Sequence, residues 1–445
     1  MREGSLEAPI RHTLDWQNPD FYDMDKIHAE MHRVFDACHG CRRCFNLCDS
    51  FPRLFDLVDN SPTGEMDGVK VEDYKQVVDA CTLCDLCFMT KCPYVPPHEW
   101  ALDFPHLMLR YRAAELKQGK ADKVYGQLTE TDRNGKAAGL MAPVVNWANE
   151  TKPVRALMQA TAHIDAEAKL PKFCGRTLVM RAAEEPLTLN ERAPAYGKRK
   201  AVLYATCFSN YNNPEIGVAA RKVLAHNGVQ TEVVYPRCCG MPQFERGDVA
   251  RVAEHAQTVS EALLPYIEDG YDVIALVPSC ALMLKFEWPL ILPGDAKVKT
   301  LSEATYDVSE YVVEIAGKEG LAPGLKKLEG GVALHIACHA RAQNMGQKAA
   351  ELLRLIPEPD LQVIERCSGH GGAWGVMQGN FDIALKVGKP VARQALQSAK
   401  AHVASECPLA GDHIVQGMER LADGAPHPAE AEHPIQLFAR AYGLI

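Results

Sequence analysis

The chain has 445 residues, 47% of them hydrophobic and 24% charged, with a formal net charge of −9. This is an ordinary globular composition with room for about three domains, and its acidic balance excludes a broad phosphate-binding surface, so no nucleic-acid partner is expected. The N-terminus, MREGSLEAPIRHTLDWQNPD, lacks the apolar centre of a signal peptide, and no run approaches ~18 apolar residues. The expectation is a cytoplasmic protein, or one held peripherally on the inner face of a membrane through a partner or an amphipathic face. Sixteen cysteines in a chain without a secretion signal point to metal binding rather than disulfides. All but Cys174 fall into groups, and a lone cysteine reads as a small buried hydrophobe.

Residues 1–115 show little periodicity and carry two cysteine groups. The first is Cys38, Cys41, Cys44 and Cys48, spaced C-x2-C-x2-C-x3-C; the second is Cys81, Cys84, Cys87 and Cys92, followed by Pro93. A [4Fe–4S] cubane needs four thiolates around a compact core. Each tight run supplies three, and in two-cluster ferredoxins the fourth cysteine ligates the other cluster. Cluster one is therefore assigned to Cys38, Cys41, Cys44 and Cys92, and cluster two to Cys81, Cys84, Cys87 and Cys48. The sequence departs from the usual spacing once, with four residues, FMTK, between Cys87 and Cys92. The alternative metal is zinc, which pairs two C-x2-C hairpins across a longer gap; the triple run, present twice, is the more specific cluster pattern. Two adjacent clusters pass single electrons with little rearrangement. They form a wire, and no catalytic residue is assigned.

RYRAAELKQGK (110–120) reads as a mildly basic helical surface, and residues 116–197 as a mostly helical connector. From 198 the pattern changes. KAVLYATC (200–207), TEVVYP (231–236) and YDVIALVPSC (271–280) are short strands, separated by helices over 214–228 and 247–268. The order recurs in GVALHIAC (331–338), LQVIERC (361–367) and AHVASEC (401–407), with helices over 345–355 and 379–397. Alternating strands and helices predict parallel α/β layers, and the recurrence is an internal repeat. The expected fold class is α+β overall: an N-terminal helical two-cluster bacterial-ferredoxin-like domain (1–115), the connector (116–197), and two repeated α/β modules (198–325 and 326–445).

A cysteine ends each of the three strands in both modules, at the carboxyl edge where open α/β sheets bind ligands. Module one offers Cys207, the pair Cys238-Cys239 before Gly240, and Cys280. Module two offers Cys338, Cys367 in Cys367-Ser368-Gly369, and Cys407. Converging cysteines read either as a further iron–sulfur site or as a reactive thiol site, and the glycine after the pair permits a tight turn. SGHGGAWG (368–375) lacks the spacing of a dinucleotide or P-loop fingerprint, so any flavin is expected on a partner.

The order "cysteine, CCG, cysteine", given twice behind a two-cluster ferredoxin part, resembles the CCG-domain family. That family includes the B and C subunits of heterodisulfide reductase, the C subunit of anaerobic glycerol-3-phosphate dehydrogenase, and iron–sulfur subunits of glycolate and lactate oxidases. The layout, with HIACHARAQNMG (335–346), is most similar to the glycerol-3-phosphate dehydrogenase C subunits. The resemblance implies five cysteines per module, ending in C-x2-C, and this chain departs from that twice. Module one reads Val277-Pro278-Ser279-Cys280; module two reads Cys407-Pro408-Leu409-Ala410, with Ser368 in place of the second cysteine of the pair. Module one keeps four cysteines, enough for a third cluster. Module two keeps three, which leaves a cluster with a non-cysteine ligand, an open iron, or no cluster; His339, His370 and His413 are candidate ligands or proton donors. His335, His339 and Arg341 flank Cys338, and orienting the strand-end loop is the favoured reading for them.

The expected function is an iron–sulfur electron-transfer protein or subunit. Its redox partner would be a flavin dehydrogenase or a rubrerythrin-like protein, and its acceptor a quinone or a redox protein. The alternatives are a heterodisulfide-reductase-like enzyme using a cluster in the CCG modules, and a redox sensor or scaffold.

Overall fold

The computed structural model describes residues 8–445; residues 1–7, the start of the segment read for a leader, lie outside the described residues. The N-terminal region is more regular than its sequence suggests. Asp23 caps the helix Met24–Cys41 by accepting the N–H groups of Asp25 and Lys26, and Arg42 ends it in the left-handed conformation. Ile27, Met31, Val34 and Phe35 form its buried face, a spacing that a 3.6-residue turn brings to one side. Cys38 continues that stripe and Cys41 follows three residues on, so the last turn of a packed helix holds the first two cysteines. The stripe is hard to see in the sequence because its continuation is cysteine, a ligand residue. The helices Ser50–Asp59 and Phe104–Lys117 close over it, with the Phe51 and Phe104 rings 4.7 Å apart.

Strands β1 (Lys200–Tyr204), β2 (Gln230–Val234), β3 (Tyr271–Ala275) and β4 (Thr305–Asp307) form one parallel sheet in the order β2-β1-β3-β4. Strands β5 (Val332–His335), β6 (Leu361–Ile364) and β7 (His402–Ser405) form a second, in the order β6-β5-β7. The first three strands of each sheet therefore share one topology, with the first strand of each in the centre. β4 is an addition to the expected three strands. Its counterpart in the second sheet is a single parallel bridge, Ala404 to Glu432. In both halves a capping box then starts a helix, from Asp307 into Val308–Lys318 and from His433 into Pro434–Ala441. The repeat thus extends past the third strand.

Two apolar clusters join the parts. One runs from Phe35, Phe51 and Phe104 to Val202, Val273 and Trp288, seating the N-terminal helices on the first sheet. The other runs from Leu203, Val223 and Ile274 to Leu334, Leu353 and Phe438, joining the two sheets' layers. Residues 116–197 are mostly short helices, Lys123–Leu128, Thr131–Leu140, Ala142–Glu150, Lys152–Ala162 and Leu178–Glu184. Among the described residues, no helix is long and apolar enough to cross a membrane.

Candidate metal centres

Cys38, Cys41 and Cys44 line one cavity together with Cys92, walled by Phe51, Phe55, Tyr94 and Leu102. Burial, then Cys92 and Cys41, push the Cys44 thiol up to about 12, with Lys91 and Arg43 offsetting part of the rise. Burial and then the same companions, Cys92, Cys44 and Cys41, raise Cys38 well above the usual thiol range. Cys48 belongs to the other set: burial raises it, then Cys84 and Cys81. Burial also raises Cys87, followed by Cys84, Cys81, Cys44 and Cys48. The fourth cysteine of each run thus lies with the other run's cysteines, and Cys44 is near enough to Cys87 for its charge to raise that thiol.

Thiols buried among thiols keep their protons until a cationic group takes the protons' place. This donor set fits an iron–sulfur group: four sulfurs from two distant segments around an apolar-walled cavity. A single zinc would need its sulfurs about 3.8 Å apart, from a Zn–S bond of about 2.3 Å in a tetrahedron. Among the described residues, no group of three or more His, Cys, Asp or Glu side chains is placed to hold a single metal ion.

The extra residue in FMTK has a structural home. Cys87–Lys91 forms a π-turn, and the Cys92 N–H donates to the Cys87 carbonyl five residues back at 2.9 Å. A π-turn accommodates one inserted residue without breaking the chain's path, so Cys92 still reaches the first cage. In the second run, Leu83 and Asp85 take left-handed φ values of 48° and 60°, conformations costing about 1–3 kcal/mol each unless the surroundings fix them. Arg11 fixes Asp85. Its guanidinium donates to Asp85 (2.9 Å), Asp103 (2.8 Å) and Glu287 (2.9 Å), and it lies 4.6 Å from the centre of the Phe88 ring. His106 Nε2 adds a 3.0 Å contact to Glu287. Arg112 supports the same loop, donating to the carbonyls of Val78 and Cys81.

At the first sheet, the four remaining cysteines of module one converge. Cys207 opens a helical turn just after β1; Thr206, at φ 46°, caps that turn by accepting the Ser209 N–H. Cys207 and Cys238 sulfurs are 3.8 Å apart, and Cys239 contacts both Cys238 and Cys280. Hydrogen bonds from Cys207 and then Cys239 hold the Cys238 thiol well below the usual range, against burial. The Gly240 N–H also donates to its sulfur at 3.4 Å. Gly240 sits at φ 85°, which glycine adopts without a Cβ penalty. His255 donates from Nδ1 to the Cys238 carbonyl (2.9 Å) and Trp288 to the Cys239 carbonyl (3.1 Å), so the adjacent pair is held by its backbone.

Several residues here carry no local signal in the sequence. Thr131 and Asp132 come from the segment read as a connector. The Thr131 hydroxyl lies against Cys207 and Cys238, and Asp132 accepts the Cys238 N–H at 3.1 Å and the Tyr235 hydroxyl. Tyr204, wholly buried, faces Cys239, Cys280, Cys238 and Cys207 and donates to the Arg237 carbonyl at 2.6 Å.

Strand register shows what module two has lost. Tyr204 pairs with Ala275 and His335 with Ser405, so Val277 stands where module two has Cys407, and Ala410 where module one has Cys280. Each module keeps a different cysteine of the C-x2-C. Cys338 is in hydrogen-bonding reach of Cys367 and of Cys84 from the second cage. Cys407 instead has Asp412 and Cys280 as its charged neighbours, and burial raises it to about 11. The hydrogen bond from Cys338 brings Cys367 down to about 7 against burial, helped by the Gly369 N–H at 3.3 Å and by Arg341. The glycines of SGHGGAWG serve this turn. A Cβ on Gly369 (φ 80°) would lie 2.0 Å from the Ala384 carbonyl oxygen, and one on Gly375 1.8 Å from that of His370.

The predicted histidines separate. His339 Nε2 donates to the Leu83 carbonyl at 3.3 Å, bracing the second cage's loop. His335 is buried between Ser405 (2.9 Å) and the Arg366 carbonyl (3.0 Å). His370 and His413 face each other with ring centres 6.1 Å apart, and burial lowers both, His370 to about 3. Cys174 differs from its sequence reading: it is partly exposed, and its thiol donates to the Asn212 carbonyl at 3.3 Å.

A profile of the cysteine-rich CCG domain matches residues 201–285, which hold β1 apart from Lys200, β2, β3 and all four module-one cysteines. The C subunit of the anaerobic glycerol-3-phosphate dehydrogenase of Escherichia coli K12 is 29% identical over 320 residues, covering 71% of this chain and 76% of that protein. Lactate utilization protein A of Macrococcus caseolyticus is 28% identical over 189 residues, 40% of this chain and 73% of that one. An uncharacterized iron–sulfur protein of Methanocaldococcus jannaschii is 30% identical over 238 residues, 52% of this chain and 44% of that one. The cysteine pair and its glycine are thus seated at the carboxyl edge of a parallel sheet, inside the segment that matches the cysteine-rich CCG domain.

Proposed function

We propose that this protein is an iron–sulfur electron-transfer subunit, carrying electrons between a partner oxidoreductase, a flavin dehydrogenase in the first instance, and a downstream acceptor such as a quinone or a redox protein. Cys38, Cys41, Cys44 and Cys92 would hold one [4Fe–4S] cluster, Cys81, Cys84, Cys87 and Cys48 a second, and Cys207, Cys238, Cys239 and Cys280 a third. When bound, these groups supply one-electron storage at low rearrangement cost. The observation that carries the reading is the crossing of the two four-cysteine sets: Cys92 lines the cavity of Cys38, Cys41 and Cys44, and Cys84 and Cys81 are the thiols that bear on Cys48. Its relatives, named as a dehydrogenase subunit and a lactate utilization protein, support a dehydrogenase as the partner.

The chain's own residues set the surroundings of each group. Lys91 and Arg43 place positive charge beside Cys44, and Gly240 directs its backbone N–H at Cys238. Donors to sulfur and nearby charge are the levers that tune a cluster's potential. The test is reversible reduction. Titrating the anaerobic protein with dithionite is expected to bleach its visible absorbance, and adding a quinone analogue or a one-electron dye to restore it. A protein with no visible absorbance that changes reversibly contradicts the proposal.

A further inference from the structure

Cys338 and Cys367 occupy equivalent places on neighbouring strands. β5 and β6 are in register with His335 opposite Ile364, and each cysteine lies three residues past that pair. Adjacent parallel strands run about 4.8 Å apart, inside the Cα separation of roughly 4.4–6.8 Å that a disulfide spans. The two sulfurs are already within hydrogen-bonding reach. The equivalent pair in module one, Cys207 and Cys238, has its sulfurs at 3.8 Å. There, however, Cys239 adjoins Cys238 and contacts Cys280; in module two the matching positions are Ser368 and Ala410, and neither Cys338 nor Cys367 is among the groups acting on Cys407. Module two therefore keeps a contacting pair and lacks the set around it. Both sulfur-bearing residues are partly exposed, and so is Cys84.

From this geometry we infer that Cys338 and Cys367 form a redox-active dithiol–disulfide couple that exchanges electrons with the cluster held at Cys84. The inference rests on the proposal that Cys48, Cys81, Cys84 and Cys87 hold a cluster. Reduction breaks the Cys338–Cys367 S–S bond; two electrons arrive singly by way of Cys84, two protons come from solvent, and two thiols result. Oxidation reverses each of these. The couple stores an electron pair beside a one-electron wire, which lets the wire serve a two-electron partner such as a dehydrogenase. The sulfurs are not equivalent. Cys367 accepts the Gly369 N–H at 3.3 Å, while Cys338 abuts the electron entry at Cys84.

The test maps the bond in the full-length protein. Anaerobic samples are oxidised with ferricyanide or reduced with dithionite, quenched in acid, alkylated, digested and read by mass spectrometry, with iron counted on the same samples. The expected result is a cross-linked peptide pair containing Cys338 and Cys367, two hydrogens lighter than the dithiol, that is lost on dithionite treatment. Cys367→Ser should abolish the cross-link while leaving iron content unchanged. In Cys84→Ser, dithionite opening should slow at least tenfold while opening by a phosphine does not change. Iron-replete oxidised protein with no cross-link overturns the inference, as does loss of about four irons in Cys367→Ser, the behaviour of a cluster ligand. Iron-free wild-type protein overturns instead the reading on which the inference rests. The Cys367→Ser comparison does not depend on whether Cys84→Ser folds.

Discussion

Cys48→Ser is expected to reproduce the defect of Cys81→Ser, not that of Cys38→Ser, although Cys48 is the neighbour of the Cys38 run in sequence. Each cage draws its fourth sulfur from the other run: Cys48 senses Cys84 and Cys81, and Cys92 lines the cavity of Cys38, Cys41 and Cys44. Serine at position 48 should cost about four irons per chain and leave the EPR signal that also survives in Cys81→Ser. Cys92→Ser should leave the signal that survives in Cys38→Ser. Uncrossed ligation would exchange these two pairings.

Arg11→Met is expected to be the most destabilising single change outside the cysteines. The guanidinium side chain is only 11% exposed and pairs with Asp85, Asp103 and Glu287, the last carboxylate 1% exposed. Removing one partner from a buried charge set typically costs about 3–5 kcal/mol, because the others are left uncompensated. The loss should appear as a lower Tm and as faster amide exchange in 81–92 and 283–291, which the arginine ties together. Arg33→Met is the control. Its pairing with Glu30 is solvent-exposed, and such pairs contribute within about 1 kcal/mol.

Acid separates the two variants further. Burial pushes the Asp103 carboxyl up, but Arg11 and then His106 outweigh it and hold it at about 2, below its ordinary 3.8. Against the same burial, Arg11 and then His106 hold Glu287 down. Carboxyls depressed in the folded state stabilise it above their ordinary values, and that contribution is lost as pH falls from about 4 to about 2. Asp85, raised mainly by burial, takes up its proton earlier and offsets part of the loss. In Arg11→Met the depression is removed, so the acid-dependent loss over that window should shrink. An unchanged pH profile would mean that Arg11 does not carry the charge balance.

The features readable in the sequence are those whose signal is local. Cysteine spacing marked both runs, and apolar runs ending in cysteine marked β1, β2, β3, β5, β6 and β7 together with the repeat. β4 escaped because Thr305-Tyr306-Asp307 is too short to show alternation and is defined by its pairing with β3. The helix Met24–Cys41 escaped because its apolar stripe runs on into its ligands. Arg11 gave no signal at all, since its partners lie at 85, 103 and 287 and meet only in the folded chain. Thr131 and Asp132 likewise belong to an undistinguished helical segment, until packing lays them against Cys207 and Cys238. The contact of Cys338 with Cys84 spans two regions whose cysteines, by spacing alone, belong to separate groups.

We propose three clusters on the three four-cysteine sets, two of them close enough to interact. Iron and acid-labile sulfide per chain, counted on anaerobically purified protein together with EPR of the dithionite-reduced state, test it most directly. About twelve irons, an equal amount of sulfide and a spectrum split by interaction between neighbouring clusters are expected, with the non-interacting component lost in Cys239→Ala. Stoichiometric zinc with no labile sulfide, or iron whose reduced signals show no interaction between clusters, would contradict it.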